Sequence, residues 1–201
     1  GGSARPAHPL LDSAALDAAL AAGDGGGGGL VLALSHDDYT RVPGGVQNVI
    51  GDEARVLCAA GWTYLHARPL HPISRLADCG PGEETVSLIR DGWPIGEAAM
   101  PALAAALARA ARRRPVRLIV HHLMGFRPED VAALAAAAGP GRTLLWLHDF
   151  FTLCAGYALL RNDLVFCRAP APDSASCGIC LHGSGRIEHL RRMAAFLDAA
   201  R

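Results

Sequence analysis

Leu30-Val31-Leu32-Ala33-Leu34-Ser35 is a continuous apolar run of strand length. Strands buried on both faces look like this, and a parallel sheet covered by helices on each side is built from them. Working outward, the run leads into a polar loop, His36 to Gly45, and then into a helical pattern. Val46, Val49, Ile50, Val56, Leu57 and Ala60 fit one helix face, and Gly61 ends it. Trp62 to His66 reads as a second strand and Thr85 to Ile89 as a short third. Leu70 to Gly82 between them is irregular, with Pro and Gly punctuation. The next helix carries Pro101 in its first turn, where the missing N–H costs little, and Pro115 stops it. Val116 to Val120 is another apolar strand, Pro128 to Ala138 a helix closed by Gly139, and Thr143 to Leu147 a strand running into His148-Asp149. A last helix covers about Arg186 to Ala200, its face formed by Ile187, Leu190, Met193, Ala194 and Leu197.

This alternation predicts an α/β fold: a Rossmann-like parallel sheet with helices on both faces, plus a cysteine-containing loop near the C-terminus. Residues 1–29 form an N-terminal part, with a helix over Leu10 to Ala22 capped by Asp12 or Ser13 and a flexible five-glycine hinge, Gly25 to Gly29. Residues 30–201 form the sheet domain. A chain of 201 residues has the length for one such core.

Composition excludes some partners. Lys plus Arg and Asp plus Glu number 19 each, so no net field favours nucleic acid or an anionic membrane. No stretch approaches the roughly 20 apolar residues of a bilayer span. The opening GGSARPAHP lacks an apolar signal core. A cytoplasmic location is expected, with peripheral attachment at the inner membrane compatible with it. In that compartment the six cysteines are thiols or metal ligands rather than disulfides.

In parallel α/β sheets, ligands bind beyond the carboxyl ends of the strands. Three segments lie there. The loop after Ser35 places Gly44-Gly45 directly before a helix start at Val46; glycine lets backbone approach a ligand, and a helix N-terminus favours phosphate. A tight turn would use the same glycines. Arg41, in this loop, suits an anionic acceptor or simply solvent. His121-His122 closes a middle strand; adjacent strand residues point to opposite faces, so one should meet a helix and the other the crevice. His148-Asp149 closes the last strand. A carboxylate beside an imidazole tunes it for proton work, or Asp149 caps the following segment.

Gly44-Gly45-Val46-Gln47, His121-His122, and Leu147-His148-Asp149-Phe150-Phe151-Thr152-Leu153-Cys154 followed by Leu159-Leu160-Arg161 together resemble the N-terminal domain of family 4 glycosyltransferases. The resemblance covers roughly residues 30 to 200. It implies one of two facing Rossmann-like halves of a GT-B enzyme, which transfers sugar with retention and without a catalytic metal. By the resemblance, this half binds a sugar, glycan or lipid-linked acceptor. A C-terminal donor-binding domain with an E-x7-E motif binds the nucleotide-sugar co-substrate. Gly44, Gly45 and Val46, with Arg41 and His122, would line the substrate site, the glycine loop near the donor diphosphate. His148 and Asp149 would be catalytic, His148 near the transferred sugar. No such second domain lies within these residues, so the expectation is a half-site inactive alone.

Cys154, Cys167, Cys177 and Cys180 are spaced x12, x9 and x2. The C-x2-C pair suits a tetrahedral structural Zn²⁺, with His182 as a substitute ligand; free thiols or two disulfides are the alternatives. Cys58 and Cys79 read as ordinary buried or loop cysteines. Trp62 and Trp146 read as core strand residues, and Trp93 as a loop residue able to meet a sugar ring or to pack. Two other functions compete with the acceptor half: a stand-alone non-catalytic sugar- or nucleotide-binding module, and a zinc-dependent hydrolase using His121, His122, His148 and Asp149.

Overall fold

A computed structural model describes residues 8–21, 28–71 and 73–201. Gly25 to Gly27 of the glycine run, and with them most of the expected hinge, fall outside the described residues. Helix α1 (Ser13–Ala19) begins under Asp12, whose carboxylate accepts the Ala15 N–H at 2.8 Å. Leu30–Leu34 is strand β1, buried along its whole length. Then follow α2 (Gly45–Ala59), β2 (Thr63–Pro69), β3 (Thr85–Arg90), β4 (Trp93–Ala99), α3 (Met100–Ala111), β5 (Val116–Val120), α4 (Pro128–Ala138) and β6 (Thr143–Leu145). Beyond β6 come two short strands, β7 (Leu160–Arg161) and β8 (Val165–Phe166), one helical turn, α5 (Ala175–Gly178), and α6 (Arg186–Ala199).

Six strands form one sheet in the order β4-β3-β2-β1-β5-β6. β1 pairs in parallel with β2 and β5, and β5 with β6. β3 runs antiparallel to both β2 and β4. The sheet is therefore mixed, and the expectation of a purely parallel sheet is corrected at this edge. The reason is local. Asp91 and Gly92 both have positive φ, 49° and 90°, and form a two-residue hairpin turn between β3 and β4. Trp93 consequently opens a strand rather than lying in a loop. The arrangement remains α/β and compatible with a Rossmann-like layout.

Alternate residues of the central strands feed two cores, as the pleat requires. Leu30, Leu32, Leu34, Leu118 and Val120 face α1, α3, α4 and α6 through residues such as Leu16, Leu103, Val131 and Phe196. Val31, Ala33, Tyr64 and Ile119 face Ile50 and Ala54 of α2. Two helix readings shift. The buried residues of α6 are Arg186, His189, Arg192, Met193 and Phe196, so Ile187, Ala194 and Leu197 point outward. The expected face missed this because two arginines and a histidine use hydrogen bonds to enter the core. On α2 the buried set is Gln47, Ile50 and Ala54, and Val56 is exposed.

Register levels the strand ends. Leu34 stands opposite both Ala67 and Val120, and Val120 opposite Leu145. The last of the parallel strands stops at Leu145, two residues short of the expected Leu147, and Trp146 is 43% exposed rather than core. At the opposite edge, β4 is covered by the N-terminal residues: Leu11 N–H donates to Glu97 O, and Glu97 N–H to Pro9 O. No helix of the described residues is long and apolar enough to cross a membrane.

Candidate functional site

The levelled ends of β1, β5 and β6 bring His36, His121, His122, His148 and Asp149 to one crevice. His36 follows β1 by two residues, His121-His122 follow β5 directly, and the Trp146 N–H donates to Val120 O at 2.9 Å, holding the chain after β6 alongside. Both histidines after β5 are buried. As the pleat predicts, they diverge, one toward α2 and the other toward the segment after β6.

His121 belongs to a chain of hydrogen bonds. Glu53 Oε1, on α2, accepts from Tyr64 O–H at 2.8 Å and lies 3.1 Å from His121 Nε2. His121 Nδ1 lies 3.2 Å from His148 Nε2. Burial acts to raise the Glu53 carboxyl, but the hydrogen bonds from His121 and Tyr64 outweigh it and hold the group below its ordinary value. An ionised Glu53 fixes the His121 proton on Nε2. When both rings are neutral, His121 Nδ1 must then accept the His148 Nε2–H, which leaves Nδ1 as the basic nitrogen of His148. Burial and the neighbouring His121 lower the His148 pKa, so the ring is neutral at pH 7. Trp146 stacks against both rings, with centroids 6.2 and 5.7 Å away.

His122 is oriented from both sides. The Met124 N–H donates to its Nδ1 at 3.0 Å, so its proton sits on Nε2 and is donated to Asp149 Oδ2 at 3.1 Å. Asp149 Oδ1 accepts the Phe151 N–H at 2.8 Å. Burial acts to raise Asp149, and these two hydrogen bonds bring it below its usual value. Asp149 thus caps the segment that follows and fixes the His122 ring. Two of its acceptor sites are used inside the protein, and the bond to His121 leaves His148 Nδ1 for a ligand.

The glycine loop joins this cluster through the first turn of α2. Gln47 Nε2 reaches His36 Nε2 at 3.4 Å, and the His36 ring meets the His122 ring edge-on at 4.7 Å. Burial, then the neighbouring His122, lowers the His36 pKa. Gly45, not Val46, is the first residue of the helix, and a Cβ there would stand in open space. Packing therefore does not demand glycine at this position. Val46 is half-buried and packs beside Ile50. Arg41 stands apart from the histidines, mostly exposed, 3.9 Å from Asp38. Deeper, Ser35 Oγ and His66 Nε2 share a 2.7 Å hydrogen bond, and full burial pushes the His66 pKa down to about 3.

Cys154, Cys167, Cys177 and Cys180 line one small cavity of about 20 Å³, with His182 and Arg186. All four are free thiols. Among the described residues, no three His, Cys, Asp or Glu side chains stand close enough together to share a metal ion. His121, His122, His148 and Asp149 are likewise paired with one another, or with Glu53, rather than aimed at a common point.

No family model, curated protein or solved structure matches the chain. The site must be read from its own chemistry. Sequence reasoning selected His122, His148 and Asp149, which line one crevice, and the glycine pair, which approaches it only through Gln47 and His36. It missed Glu53, Tyr64, Gln47 and His36. Gln47 and Glu53 lie on the inner flank of α2 beside Ile50 and Ala54, so helical spacing was the available signal.

Proposed function

We propose that this chain is the acceptor-side half of a retaining glycosyltransferase. In this reading His148 contacts the sugar under transfer and Asp149, with His122, positions the crevice wall. Gly44 and Gly45 admit the diphosphate of a nucleotide-sugar to the N-terminus of α2. A further, donor-binding domain facing the crevice supplies the remaining cations and contacts. A sugar, glycan or lipid-linked hydroxyl is the acceptor.

One observation carries the reading: the hydrogen-bonded row Glu53–His121–His148 ends in a neutral imidazole at the rim of the crevice. Such a nitrogen accepts a hydrogen bond from a sugar hydroxyl without presenting a positive charge to it. The row fixes the ring in one orientation, and positioning is what transfer between two bound substrates requires. The open space at Gly45 beside a 15-residue helix supports the diphosphate assignment. The internal pairing of His122 with Asp149 and of His121 with Glu53 speaks against a metal-dependent hydrolase using these groups.

The test is a transfer assay on the protein carrying this chain together with a donor domain. His148→Asn is expected to lower turnover about 10- to 100-fold, the scale of a lost hydrogen bond to the sugar under transfer, with an unchanged circular dichroism spectrum. Unchanged turnover in that variant rejects the assignment. Nuclear magnetic resonance of the histidine rings gives a second readout: a nucleotide-sugar or an oligosaccharide should shift His148, and silence toward both would reject it as well.

A further inference from the structure

We propose that Cys154, Cys167, Cys177 and Cys180 hold one Zn²⁺ ion as a structural staple, and that this staple fixes the segment bearing His148 and Asp149. The inference concerns the cysteines alone and stands whether or not the chain acts on sugars.

The first ground is convergence. Four of the six cysteines of the chain line a single cavity, although three of the four come from a stretch with only two-residue strands and one helical turn. Cys177 and Cys180 lie on one turn, closed by the Cys180 N–H to Cys177 O bond at 3.0 Å. This is the spacing by which two thiolates reach one tetrahedral ion.

The second ground is charge. Arg186, buried at the start of α6, places Nη1 3.0 Å from Cys177 Sγ. A guanidinium held there offsets part of the net negative charge that four thiolates around one Zn²⁺ would carry. The same side chain donates to Pro170 O at 2.5 Å and Leu153 O at 3.1 Å, tying both flanks of the cavity to α6.

The third ground is the backbone. Leu159, Asn162, Asp163, Arg168 and Ala169 all have positive φ; among the other described residues only Asp91 is a non-glycine that does. At Leu159, Arg168 and Ala169 this costs on the order of 1 kcal/mol each, whereas Asn162 and Asp163 adopt it more readily. The stretch buries little to offset that, since Leu164 is 82%, Ile179 69% and Leu181 71% exposed. A segment so strained and so thinly packed needs a cross-link to hold its shape. Among the described residues no three of these donors yet stand within reach of one ion, so binding must draw the sulfurs together until each lies about 2.3 Å from the metal.

The staple would reach the crevice through Cys154. Its N–H donates to Phe150 O at 3.1 Å, one turn beyond Asp149.

Metal analysis of the full chain purified under reducing conditions tests this. One Zn²⁺ per chain is expected. Co²⁺ in its place should give the thiolate charge-transfer band of a four-sulfur site. Cys177→Ser and Cys180→Ser should lose both signals; Cys58→Ser, Cys79→Ser and His182→Ala should keep them. Should the Cys177 and Cys180 variants fail to fold, a chelator on the wild-type chain gives the same answer. It should open 154–183 to protease and shift the His122 and His148 resonances while the sheet remains. Four results would overturn the proposal: no stoichiometric metal, the four cysteines recovered as two disulfides, metal lost with His121→Ala or His122→Ala but kept without Cys177, or chelation without effect on protease resistance.

Discussion

The crevice and the cysteine segment both gather reactive side chains, but by different means. In the crevice, three strand ends brought level by the sheet register set each group in place, and each then finds a partner: Glu53 with His121 and Tyr64, His122 with Asp149. In the cysteine segment the four thiols share a cavity without bonding one another, on a backbone that repeatedly adopts positive φ. A sheet can orient chemistry by itself, because its ladder already satisfies the backbone. A segment with little regular structure brings groups near and leaves the last step to a cross-link.

Phe151 joins the crevice to α6, which carries Arg186 against Cys177, and gives the sharpest way to break the comparison. It is buried, its ring tilts against His122 at 4.7 Å, and it meets His189 of α6 at 5.0 Å. Phe151→Ala is expected to cost about 3–5 kcal/mol in urea unfolding. Hydrogen exchange should rise in the segment after β6 and in α6 together. If α6 loosens while the crevice amides keep their protection, the two regions are independent.

Acid should act first on the crevice side. The folded pKa of His66 is about 3, against 6.5 for the ordinary group. As pH falls below about 6.5, the unfolded chain takes up the proton first. The stability is therefore complete above 6.5 and is lost progressively toward pH 3, on the order of 1.4 kcal/mol per pKa unit. His36 and His148, also lowered, act in the same direction. Glu53 and Asp149 are depressed carboxyls, so their contribution is present above the ordinary carboxyl range and lost below it. His66→Gln should flatten the curve of stability against pH between 6.5 and 4. An unchanged slope would show that His66 is not the group responsible.

The smallest effect belongs to the other region. A Cβ on Gly183 would fall on the Cys177 carbonyl. Gly183→Ala should cost about 1–3 kcal/mol as overpacking. It should raise protease cleavage within 154–183 and leave the His121 and His122 resonances in place. A shift of those resonances would mean that the segment controls the crevice even through its far end.

Much of the fold could be read before any coordinates. The apolar runs at Leu30 and Val116 mark central strands because a sheet covered on both faces buries nearly every position: all five of β1, and all of β5 but Arg117. Pro101, Pro128 and Gly139 punctuate helices through their backbone chemistry. The antiparallel edge was also written down, in Asp91-Gly92, a two-residue pair suited to a hairpin turn. The strand after it, with Pro94 and Gly96, lacks the clean alternation that marks a strand. The α6 face could not be read from hydropathy, since Arg186, His189 and Arg192 enter the interior through bonds to Leu153, Phe151 and Ala77 that sequence distance conceals. For the site, topology identified the strand ends but not their partners. Glu53 meets His121 and Tyr64 only after α2 is laid across the sheet.

The two borders of the sheet differ in one further respect. β4 is sheltered by the N-terminal residues, but β6 pairs on one side only and leaves Leu144 half exposed, with Leu147 just beyond. An open border of that kind is a template on which another chain can add a strand. Here the template is three residues long, which limits the hydrogen bonds a stray strand could form. Colloidal behaviour at high concentration thus turns on very few positions. A charged side chain in place of Leu144 is the economical route to a better-behaved protein, because it touches neither the crevice nor the cysteines.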